Sequence, residues 1–98
     1  MKAIIYQPGQ PEQPYEAKDF TLDTTADQIV LASTALRCSP EMVDILASGK
    51  NYLAYSVFDD ERDINIPAMQ VLTDLTGFEF NITDEDMVLR GPVLVVTV

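Results

Sequence analysis

Four carboxylates, Asp59, Asp60, Glu61 and Asp63, crowd into five positions, with Arg62 the only base among them. Oxygen ligands at this spacing suggest a calcium loop, a catalytic carboxylate pair or a docking surface for a basic partner. They fit a solvated bend equally well. Counted from Asp59, an EF-hand-like loop draws oxygens from Asp59, Glu61, Asp63 and Asn65. However, Ile64 occupies the position that needs glycine, and Gln70 the position that needs a bidentate glutamate. A second acidic run, Asp84, Glu85 and Asp86, lies in a segment with its own helix-start signals. Glycosidase-like chemistry needs two acids facing across a cleft, usually with aromatic platforms, and the chain has no tryptophan. It has no histidine for acid–base work. Cys38 follows Arg37 and precedes Ser39–Pro40, a helix-opening pair that could lower a thiol pKa. With no histidine to activate it, this lone thiol reads as a small, partly buried filler. No phosphate-cradling glycine motif occurs. The expectation is a protein that is not an enzyme, with no metal site and no cofactor.

Both acidic runs must be held by ordinary secondary structure. Lys2–Tyr6 has the β-branched and aromatic content of a strand. "QPGQPEQP" follows as a connector, and Tyr15–Phe20 is expected to return as an antiparallel strand. The spacing predicts a helix over "DTTADQIVLASTALR", capped by Asp23 or Thr24, with Ala26, Ile29, Val30, Ser33 and Leu36 on one face. A second helix is predicted over "SPEMVDILASGK". There Ser39 is the cap, Pro40 the first helical residue, Met42, Ile45 and Leu46 the apolar stripe, and Gly49 the stop.

Tyr52–Phe58 reads as a strand running straight into the first acidic run. Pro67 opens a helix with Ala68, Val71, Leu72 and Leu75 on one face, closed by Gly77. "FEFNI", Phe78–Ile82, alternates like a half-exposed strand, and "TDEDMVLRGP" reads as one short helical turn. "VLVVTV" is nearly all apolar, which places it centrally in a sheet covered on both faces. The sum is one α+β domain over 1–98: a mainly antiparallel sheet of four to five strands with two to three helices packed on it.

Sixteen acids against six bases give a net charge of −10. The surplus is uneven: residues 51–98 carry nine acids and two bases, residues 1–50 seven acids and four bases. Such a chain repels phosphate backbones and anionic lipid, so direct nucleic-acid or membrane binding is not expected. It is attracted to basic proteins. No apolar run approaches a membrane span or a secretory signal, and a single cysteine forms no internal disulfide, so a cytoplasmic setting is expected.

The opening strand running into Pro8–Gly9, the Pro67-led segment after a charged turn, and the ending from Asp86 through Gly91 to Val96 resemble a family of small uncharacterised domains. That family belongs to bacteriophages and conjugative elements of Gram-positive bacteria. The resemblance covers both ends and the middle but not Thr24–Lys50, and it implies a mobile-element setting without an assigned chemistry. In that setting compact acidic proteins block nucleic-acid-binding host defence enzymes.

The leading expectation is therefore a counter-defence inhibitor that acts as a nucleic-acid mimic. It would occupy a basic surface of a host protein through Asp59, Asp60, Glu61, Asp63, Asp84, Glu85 and Asp86, with Phe58 and Met87 as apolar anchors, and would itself be a monomer or weak homodimer. Two alternatives stand beside it. One is a small-ligand module whose pocket is lined by Tyr6, Tyr15, Tyr52 and Tyr55. The other is an assembly protein that self-associates through an edge such as Phe78–Ile82.

Overall fold

The computed structural model describes residues 1–58, 60–80, 83 and 88–98. Five strands, β1 (Lys2–Tyr6), β2 (Gln13–Tyr15), β3 (Val43–Ser48), β4 (Tyr52–Val57) and β5 (Val93–Thr97), pair antiparallel in the spatial order β2-β1-β5-β4-β3. Two helices, α1 (Ala26–Leu36) and α2 (Ile66–Thr76), cover opposite faces. Pleating sorts the side chains between those faces. Ala3, Ile5, Leu53, Tyr55, Leu94 and Val96 join Phe20, Ala32, Ala35 and Leu36 on the α1 side. Tyr6, Ala54, Val93 and Val95 join Ala68, Met69, Leu72 and Leu89 on the α2 side. β5 is thus the middle strand, buried on both faces, as its unbroken apolar run requires. Each large side chain buried there is worth about 1.5–3 kcal/mol. Among the described residues, no helix is long and apolar enough to cross a membrane.

Several expectations are corrected. The segment "SPEMVDILASGK" is not a helix. Pro40–Met42 makes a single 3₁₀ turn, Ser39 forms no side-chain cap, and Val43–Ser48 is an edge strand paired with β4. The register shifts between Ile45 and Ala47, a β-bulge. Val43 packs toward α1 while Leu46 and Ala47 pack toward α2. A bulge places two consecutive apolar residues, Leu46 and Ala47, on one face, which breaks the strand's alternation and on paper looks like helical spacing.

β2 starts inside the proline-rich segment rather than at Tyr15, with Pro14 opposite Ile4. As an edge strand it tolerates a residue that lacks an N–H. Phe78–Phe80 does not form a strand; the two rings meet edge-on at 5.2 Å. Asn81 and Ile82, the rest of that expected strand, lie outside the described residues. α1 is capped by Thr25 rather than Asp23 or Thr24. Its buried residues are Gln28, Ala32, Ser33, Ala35 and Leu36, so Val30 faces solvent.

α2 begins where the sequence places it. Asn65 is the N-cap, Pro67 sits in the first turn, and Gly77 ends the helix in a left-handed conformation (φ 76°) with its N–H on Thr73 O. Ala68, Met69 and Leu72 are buried, whereas Leu75 of the expected stripe is exposed. The Asn65 side chain is fully buried and spends every polar atom. Its Oδ1 accepts the Ala68 N–H at 3.1 Å, and its Nδ2 donates to Tyr6 O at 2.8 Å and Gly91 O at 2.7 Å. One amide therefore joins the end of β1, the approach to β5 and the start of α2.

Removing it takes a donor from each of two carbonyls and the acceptor from the cap, and a polar group left unsatisfied costs about 1–3 kcal/mol. Asn65→Ala is expected to lower unfolding free energy by roughly 3 kcal/mol. Asn65→Asp keeps the cap acceptor but turns a donor into an acceptor facing two carbonyls, and so also destabilises. Urea denaturation followed by circular dichroism measures both.

Candidate functional site

The first acidic run leaves the sheet at the end of β4. There the Phe58 N–H donates to Met42 O at 2.7 Å, and Phe58 is 61% exposed. The chain then bends back beside the segment entering β5. Ile64 bridges Arg90, the Asn65 N–H donates to Leu89 O at 2.8 Å, and the Gly91 N–H donates to Asp63 O at 3.1 Å. The Arg90 guanidinium adds a bond to Arg62 O at 3.1 Å. Val88–Gly91, which follows Asp84–Asp86 in sequence, thus runs alongside the 60–65 bend.

Within the bend the carboxylates are not equivalent. The Asp60 side chain is only 4% exposed while that of Arg62 is 61% exposed, and the two form an ion pair. Asp60 Oδ1 accepts the Arg62 backbone N–H at 2.8 Å, an Asx-type turn, and both of its oxygens accept from the Arg62 side chain. Arg62 holds the Asp60 carboxyl below its usual value against the opposing effect of burial. The same carboxylate packs on Gly91, which has φ 72°, and a Cβ there would overlap it. Gly91 is therefore required twice, for its left-handed backbone and for its missing side chain.

Asp60 consequently does not point outward as a docking group. Of the expected binding residues, Glu61 and Asp63 lie exposed on the bend. Asp59, Asp84, Glu85, Asp86 and the anchor Met87 lie outside the described residues. Among the described residues no group of three or more carboxylates or thiols converges as a metal site.

Cys38 is half-buried near Arg62 and Asp60. Burial raises its thiol pKa, outweighing the nearby guanidinium, so the thiol stays protonated at neutral pH. That behaviour fits packing rather than nucleophilic attack.

The tyrosines do not share a pocket. Tyr55 is buried on the α1 side with its hydroxyl 3.4 Å from Asp23 O, and Tyr6 is buried on the α2 side. Tyr52 is half-buried over Gly49, and Tyr15 lies edge-on to Phe20 at the sheet margin.

No family model matches the chain, and neither a curated protein nor a solved structure matches it. The mobile-element resemblance thus rests on the motifs that carry it.

Two features of the structure go beyond the expectations from sequence. Asn65 enters those only as an oxygen of the calcium-loop pattern, although an Asn two residues before Pro is a recognisable helix cap. The division of labour between Asp60 and its neighbours carried one faint signal, the i, i+2 spacing to Arg62.

The Asp60–Arg62 pair sets a pH dependence. The folded-state carboxyl titrates below the ordinary 3.8, so its stabilisation is complete above that value and is lost as pH falls through the lower folded pKa. Asp60→Asn is expected to be less stable than the parent at pH 7 and to lose less stability on acidification, so the two urea midpoints converge at low pH. Gly91→Ala is expected to cost more than the ~1 kcal/mol of a simple left-handed penalty, because the Asp60 carboxylate must also move.

Proposed function

We propose that this protein is a non-enzymatic, acidic binding protein of a phage or other mobile element. In this reading it occupies a basic surface on a host protein, of the kind that otherwise holds nucleic acid, as a counter-defence inhibitor in the cytoplasm. One observation supports the reading most directly. Every described carboxylate except Asp60 lies exposed, and the Asp60–Arg62 contact is the single ion pair among the described residues. The negative surplus is therefore presented to solvent rather than neutralised internally.

A surface of that kind attracts a cationic channel over a Debye length of about 8–10 Å, and it competes with DNA, which carries about one charge per 1.7 Å of axis. Glu61 and Asp63 project from a bend whose backbone is tied to the 89–91 segment at Arg62, Asp63 and Asn65. Phe58, at the start of the same bend, supplies an exposed aromatic anchor. The mobile-element setting is drawn from the resemblance of the chain's ends and middle.

Affinity capture from lysate of a Gram-positive host, at low and high salt, followed by mass spectrometry, tests the proposal. The expected result is a basic, nucleic-acid-binding protein retained at low salt and lost at high salt. Glu61→Lys with Asp63→Lys should weaken retention roughly tenfold or more while leaving the circular dichroism spectrum intact. Asp60 is left untouched in this variant, because reversing its charge would disturb the bend itself. Undiminished capture by the doubly reversed protein would remove the proposed surface.

A further inference from the structure

The chain has three lysines, and two of them, Lys2 and Lys18, line one groove at the β1–β2 margin of the sheet. The groove has a volume of about 880 Å³, within the range of small-molecule sites. Its walls are largely apolar: Ile4, Pro14, Tyr15 and Phe20 contribute, with Tyr15 and Phe20 in edge-on contact at 6.3 Å. It exists because α1 packs mainly over β3, β4 and β5, leaving the β1–β2 side of the same face to the loop that carries Phe20.

Among the described residues neither lysine forms an ion pair. One carboxylate, Glu16, also lines the groove; it accepts the Lys18 backbone N–H at 3.1 Å. The side chains lining the groove carry two ammonium groups and one carboxylate, a side-chain surplus of one positive charge beside the Met1 backbone nitrogen, on a protein that carries −10 overall.

We infer that this groove is a binding site for a small aromatic monocarboxylate, its ring against Tyr15 and Phe20 and its carboxylate between Lys2 and Lys18. Aromatic rings gain from edge or offset contact with a ring already at the wall, here the half-buried Tyr15 backed by the buried Phe20. A single negative charge matches the local surplus. Phosphorylated or polyanionic ligands meet the repulsion of the whole molecule with each added charge. The site is independent of the acidic bend and of the inhibitor reading.

Titration of the ¹⁵N-labelled protein with phenylacetate, in parallel with its neutral isostere phenylacetamide, tests the inference. Phenylacetate is expected to bind with a dissociation constant on the order of millimolar, as a fragment of its size allows, and to shift amides at 2–4 and 14–20. The amide should bind about tenfold more weakly. Lys2→Gln with Lys18→Gln should abolish the preference for the acid, while Lys50→Gln, altering the lysine outside the groove, leaves it unchanged. Both groove lysines are exposed, so the fold is expected to survive, and an otherwise unchanged spectrum checks this. Equal binding of acid and amide, shifts located elsewhere, or no shifts at roughly ten times that concentration would each overturn the assignment.

Discussion

A single buried amide holds the two halves of this fold in register. Asn65 gives its side-chain oxygen to the first turn of α2 and its two amide hydrogens to carbonyls at Tyr6 and Gly91. A fully buried side-chain amide is tolerated only when its polar atoms are paired, because an unmatched one would cost more than the average hydrogen bond returns. That requirement makes the position specific. The helix start, the end of β1 and the approach to β5 must all arrive at once, or none of them is satisfied.

The topology makes the junction necessary. β5 lies between β1 and β4, which do not pair with each other, so the sheet is continuous only once Val93–Thr97 is inserted. The pairing of Lys2 with Thr97 spans nearly the whole chain, and non-local pairings of that kind come late because loop closure must precede their reward. Asn65 and the Ile64–Arg90 bridge anchor the chain just ahead of β5, shortening the remaining search. Gly91, with its left-handed backbone and the Asp60 carboxylate packed against it, turns the chain into the strand.

The same economy governs charge. Asp60 serves the interior of the bend, and the one ion pair among the described residues is the one that keeps it there. The remaining described carboxylates lie exposed to solvent. Cations are scarce, and they are not scattered evenly: Arg62 and Arg90 brace the bend, while Lys2 and Lys18 share one groove. Structural and ligand-facing roles are thereby divided among very few basic side chains.

Where a single element's pattern sufficed, the reading of residues and the fold agree. β1, β4, β5 and α2 follow from β-branched runs, an unbroken apolar segment, and a proline start with a glycine stop, all of which are local properties of the backbone and its solvent exposure. β3 does not follow, because Ser39–Pro40 and the spacing of Met42, Ile45 and Leu46 satisfy a helix as well as a bulged strand. Only the unpaired edge of β4, supplied from elsewhere in the chain, decides between them. The acidic run divides in the same way. Composition alone determined that it would be charged and wet, since four adjacent carboxylates cannot all be buried. Which one turned inward depended on Gly91, some thirty residues away, leaving space for Asp60 beside Arg62, and a contact between distant segments has no signature in either segment alone.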